Sequence, residues 1–155
     1  MLVLLTRSEK ETQNLGARIG KIIFVPSCIA LIGELGSGKT TLTRGIARGL
    51  GVESTVKSPS FVIINEYPGP VPVYHFDLYR IDNPDQLVKL GYEEYFYSRR
   101  GVVVVEWADK ILDFLPSQHL RIEMRIKNLH EREIFFLPVG KSYSKVVEKI
   151  KGETS

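Results

Sequence analysis

The 155-residue chain is 43% hydrophobic and 25% charged, the balance of one soluble globular domain that can bury a sizeable core without a disulfide or metal staple. Its net charge of +3 and pI near 9.0 permit an anionic partner such as RNA but do not argue strongly for one. Apolar runs such as Val102–Val105 are too short to cross a bilayer, and MLVLLTRSEK does not read as a secretory leader, so the cytoplasm is the expected location.

Leu2 to Leu5 reads as a short strand. Ser8 followed by Glu11 is a capping-box pattern that opens a helix to about Lys21, with Leu15, Ile19 and Ile22 on one face. Ser27 to Ile32 is a short buried strand that contains the single cysteine, Cys28. That thiol is read as buried and inert in a reducing compartment, with a reactive nucleophile as the alternative. A helix from Lys39 to Leu50 aligns Leu42, Ile46 and Leu50, and Gly51 suits its end.

Phe61–Glu66 and Val73–Asp77 read as strands joined through the turn-rich YPGPVP. Asp85–Gly91 and Tyr92–Ser98 are short helical pieces. Val102–Glu106 is apolar without alternation, as in a strand covered on both faces. From Leu120 onwards apolar and charged residues alternate, which predicts a strand with one wet face. Glu133–Pro138 should pair with it, and a helix from about Ser142 to Lys151 follows. The succession predicts a single α/β domain over residues 1–155, a P-loop-like three-layer fold. Its sheet is mainly parallel at the centre with antiparallel strands at the edge.

GELGSGKT, Gly33 to Thr40, satisfies G-x-x-x-x-G-K-[ST] and sits between the predicted buried strand and the amphipathic helix. Glycines let the chain wrap phosphate with its N–H groups pointing inward, and the helix adds its positive end. Lys39 would bridge the β- and γ-phosphates, and the Thr40 hydroxyl would ligate Mg²⁺. The bland alternative is a glycine-rich turn with an incidental lysine.

Such a site needs a further acid, and Asp77 and Glu106 both end predicted strands, where α/β sheets bind ligands. Each could instead be a solvated acid that happens to follow a strand. His75 reads as a packed or hydrogen-bonded strand residue rather than a base, and His119 and His130 lack metal-ligand spacing. Trp107 could be core, stack on a base or partner, or cover the site. No Asn-Lys-x-Asp guanine reader occurs, and Arg99-Arg100 look like a surface turn rather than a kinase lid.

GELGSGKTTLTRGIARGLG, VKSPSFVIINEY, VYHFDLYRI and VVVVEWAD occur in that order. Over about Ser8 to Pro116, with a weaker tail beyond, the chain resembles the bacterial TsaE (YjeE) family. The resemblance implies an ATPase with Mg²⁺ that acts with TsaB and TsaD in forming the threonylcarbamoyl group on adenosine 37 of tRNAs reading codons beginning with A. TsaD is the transferase, and hydrolysis by TsaE resets or drives the assembly, touching tRNA only through the complex. On this sequence the ATP site falls on Glu34, Leu35, Gly36, Ser37, Gly38, Lys39, Thr40 and Thr41. Thr40 and Glu106 fall at the metal, and Asp77 acts near the γ-phosphate as a catalytic group alongside Lys39 and Glu106. Ser58–Ser60 matches a switch-like loop, with Ser60 where the family usually has threonine. The resemblance also nominates Glu9 and Arg132 beside the nucleotide. Arg80, or a partner, would supply any arginine finger. The readings left open are a small P-loop kinase of a metabolite or nucleoside, and a nucleotide-gated assembly module that does not hydrolyse.

Overall fold

Seven strands join one sheet in the order β1-β7-β6-β2-β5-β4-β3. A computed structural model describes residues 1–56 and 63–154; the Ser58–Ser60 loop and the start of the strand expected from Phe61 lie outside them. The strands are β1 (Leu2–Thr6), β2 (Ser27–Gly33), β3 (Ile64–Tyr67), β4 (Val73–Asp77), β5 (Val102–Glu106), β6 (His119–Ile126) and β7 (Arg132–Val139). The pairs β6–β2, β2–β5 and β5–β4 are parallel, while β1–β7, β7–β6 and β4–β3 are antiparallel. The centre is therefore parallel and the outer strands antiparallel, as expected, with an antiparallel pair at each edge.

Alternation along each strand splits the core in two. Ile29, Leu31, Val102, Val104, Leu120, Ile122 and Phe136 face one side, where helices α1 (Glu9–Ile22), α2 (Lys39–Gly49) and α4 (Lys141–Thr154) cover them. Cys28, Ala30, Tyr74, Phe76, Val103 and Val105 face the other, under the short helix α3 (Asp85–Lys89), a π-helical turn at Glu94–Ser98 and a 3-10 stretch at Ala108–Phe114. Val102–Val105 are thus buried from both sides, which is why their run does not alternate. On β6 only one side is covered. Leu120, Ile122 and Met124 are buried, whereas Arg121 and Glu123 are half-buried and Arg125 is exposed. The third layer is partial: its short helical pieces pack against β2, β4 and β5.

Helix α1 starts on Ser8, whose Oγ accepts the Glu11 N–H at 3.0 Å. The Glu11 carboxylate turns to the Arg7 N–H, at 3.4 Å, so the capping box closes one residue early. Helices α1 and α2 meet backbone to backbone, because a Cβ at Gly45 would fall on the Gln13 carbonyl and one at Gly16 on the Leu42 carbonyl. Small residues one turn apart permit that approach. The seam runs along Gln13–Gly20 of α1 and Leu42–Gly49 of α2, and the first turns of both helices line the same cleft.

Candidate nucleotide site

The turn from β2 into α2 is a glycine loop wrapped around the start of the helix. Gly36 and Gly38 have φ of +81° and +102°, a left-handed conformation that disfavours a Cβ. A Cβ on Gly36 would have no heavy atom within 4 Å, so that side of the loop is open. Gly38 caps α2 and has no side chain to take up the helix's first N–H groups. α1 differs, since Ser8 performs that service there. An uncapped N-terminus with a wrapped glycine loop fits a phosphate chain.

Lys39 lies across the loop. Its ammonium donates to the Gly33 and Glu34 carbonyls at 2.6 and 2.9 Å, and lies 3.3 Å from the Ser37 hydroxyl. Burial pushes its pKa down, while the carboxylates of Glu106, Asp109, Asp77 and Glu34 pull it up. The Trp107 ring covers the ammonium at 4.0 Å from the centroid. Trp107 has φ +61°, a conformation that costs a non-glycine residue about 1–3 kcal/mol and concentrates at functional sites. Trp107 combines two of the roles open in sequence, since it packs against the second core and covers Lys39 in the cleft.

Glu106 ends β5, beside β2, and is 2% exposed. The Thr40 hydroxyl, from the first turn of α2, donates to its Oε1 at 2.9 Å and lies 3.2 Å from its Oε2. A hydroxyl and a carboxylate at this separation beside a phosphate cradle suit a hard divalent cation with oxygen ligands. Asp77 stands opposite Glu106 in the β4–β5 register. Its carboxylate accepts the Tyr79 N–H at 3.1 Å. Burial first, then Glu106, raises its pKa above the ordinary carboxylate value.

A cleft of about 800 Å³ gathers most of the sequence candidates. Glu9, Leu35, Gly36, Gly38, Lys39, Thr40, Thr41, Glu106 and Arg132 line it. Glu34, Ser37 and Asp77 do not: Glu34 contributes its carbonyl to Lys39, and the Ser37 side chain is fully buried beneath the loop. Arg132 is tied to the loop directly, since its guanidinium donates to the Gly36 carbonyl at 3.1 Å and to the Asn128 and Glu131 carbonyls. Ser8, Lys10, Thr12, Tyr79, Leu129 and His130 also line the cleft, although the sequence offered Ser8 only as a helix cap, dismissed His130 as a metal ligand and did not mark the others. They come from α1, the segment after β4 and the β6–β7 turn, whose meeting is a tertiary event.

The family model described as threonylcarbamoyl adenosine biosynthesis protein TsaE matches residues 6–134. The chain belongs to the TsaE family. The tRNA threonylcarbamoyladenosine biosynthesis protein TsaE of Bacillus subtilis is 45% identical over 123 residues, 79% of this chain and 76% of that protein. A TsaE of the same description from a Nostoc species is 32% identical over 151 residues, 95% of this chain and 92% of that one. A crystal structure of Bacillus subtilis YdiB superposes with a TM-score of 0.79 at 36% identity, over 99% of this chain and 96% of that chain. TsaE membership agrees with the resemblance carried by HFDLYR and VVVVEW, and the match extends past Pro116 into β7. This TsaE chain has the P-loop fold, and among its described residues no helix is long and apolar enough to cross a membrane.

Proposed function

We propose that the chain binds ATP with Mg²⁺ in this cleft and hydrolyses it. In the cytoplasm it would serve TsaB and TsaD in forming the threonylcarbamoyl group on adenosine 37 of tRNAs reading codons beginning with A, without being the transferase. The observation that carries the reading is the Thr40–Glu106 pair, 2.9 Å apart beside the uncapped start of α2. The names of the relatives support the pathway.

The N–H groups of the loop and of the first turn of α2 would bind the phosphates. Lys39 would exchange its loop carbonyls for the β- and γ-phosphate oxygens. Thr40 and Glu106 would hold Mg²⁺, which when bound supplies charge neutralisation at the phosphates. Asp77 would order the attacking water or the switch segment, and Glu9 and Arg132 would flank the nucleotide. Water attacks in line, and positioning with charge neutralisation does most of the chemical work. An arginine finger would come from Arg80 or from a partner.

The test is phosphate release measured as TsaB, TsaD and substrate tRNA are added stepwise. Slow turnover alone and stimulation by partners are expected. Glu106→Ala should lower the stimulated rate about 100-fold or more, as loss of a preorganised charge at a phosphoryl group does. A fast basal rate, equal with and without partners, would sink the partner dependence. Label passing to an acceptor other than water would make the protein a kinase. tRNA modification that survives Glu106→Ala would make it a non-hydrolysing assembly module.

A further inference from the structure

The Glu106 carboxylate has a second holder besides Thr40. His75 Nε2 lies 2.5 Å from Glu106 Oε2, and the two side chains are 0% and 3% exposed. A carboxylate only accepts, so Nε2 carries the proton in this contact. His75 sits on β4, two residues before Asp77 and therefore on the same side of the strand, while Tyr74 and Phe76 turn into the other core. The parallel β4–β5 register puts His75 beside Val104, one step along the same side from Glu106. Nδ1 is buried with no hydrogen-bond partner among the described residues, so the imidazole's one polar contact there is the bond to Glu106.

We propose that His75 is a positioning residue for the cation site: it pins Oε2 of Glu106 and so presents Oε1 to Thr40 and the cleft. This rests on the nucleotide and metal reading above. A glutamate at a strand end has three side-chain torsions to restrain, and Thr40 alone spans both oxygens, at 2.9 and 3.2 Å. Adding the His75 bond distinguishes the two oxygens. Thr40, Glu106 and His75 then form a chain of contacts that joins α2, β5 and β4 beneath the P-loop. Groups that orient a metal's ligands typically govern affinity by about 10–100-fold.

The test compares wild type, His75→Phe and His75→Gln. Binding of an imido-bridged, non-hydrolysable ATP analogue is measured without metal and then across a Mg²⁺ titration. His75→Phe should bind the analogue without metal within about twofold of wild type, yet need about tenfold more Mg²⁺ for half of the metal effect. His75→Gln, which keeps a donor, should recover most of that shift. A deshielded imidazole N–H resonance in the metal-free wild type should disappear in Glu106→Ala. An unchanged Mg²⁺ midpoint in His75→Phe overturns the proposal. So does equal loss in both variants with metal-free binding lost as well, since that is a packing role. A wild type whose analogue binding does not respond to Mg²⁺ instead overturns the metal reading itself, and this inference with it.

Discussion

Asp77, proposed above to order water or the switch segment, is held at a cost to the fold. Its carboxyl is raised above the ordinary 3.8, chiefly by burial and next by the Glu106 charge. An acid raised in the folded state is ionised more readily in the unfolded chain, so its charge penalises folding at neutral pH. The penalty fades as pH falls through the raised value and is gone below the ordinary one. Asp77→Asn keeps an oxygen for the Tyr79 N–H. It should raise the urea midpoint at pH 7.5, by less than about 1 kcal/mol at this half-exposed position. The gain should vanish near pH 3.5, while ATP turnover falls. Cys28 is the opposite case, a group kept out of chemistry. Burial pushes its thiol up to about 12, so the native protein should resist a thiol-reactive dye that labels it stoichiometrically in denaturant.

Among the elements, α1 and α2 behave as one piece because their glycines remove the side chains from the crossing. Gly45→Ala drives a methyl group into the Gln13 carbonyl. Backbone lies on both sides of that contact, so the helices must separate. A loss of about 1–3 kcal/mol is expected from urea unfolding. Nucleotide affinity should fall with it, since Ser8, Glu9 and Thr12 line the cleft from the first turn of α1. Gly152→Ala is the control. Nothing lies within 4 Å of a Cβ there, and the change should be neutral or stabilising by up to about 1 kcal/mol.

At the scale of the molecule, α4 lies beyond the TsaE family match at residues 6–134 but completes the main core. Tyr143, Val146, Val147 and Ile150 are all buried in it, and the Tyr143 hydroxyl accepts the Cys28 N–H at 2.9 Å. Burial is worth about 1.5–3 kcal/mol per large apolar side chain, so these four amount to about 6–12 kcal/mol. Before the entropy of ordering α4 is set against it, that gross gain is as large as the net stability of a typical domain, about 5–15 kcal/mol. Removal of residues 141–155 should therefore abolish the cooperative thermal transition, which calorimetry would report directly.

Periodicity by itself determined most of the elements. The apolar repeats of α1 and α2, the unbroken Val102–Val105 and the alternation from Leu120 each record how many faces a segment buries, which is a local property. The glycine loop was legible for a similar reason, because glycine spacing and the following helix lie within a few residues. What the tertiary structure decided involves residues far apart in the chain. Thr40 meets Glu106 because α2 packs beside β5, and Arg132 reaches Gly36 because the β6–β7 turn closes over the loop. The left-handed Trp107 covers Lys39 by a similar approach. His75 was read from sequence as a packed or hydrogen-bonded strand residue, and only the tertiary contact between β4 and β5 shows that its partner is Glu106. Strand order and register depend on packing summed over the whole chain, so no local pattern of residues encodes them.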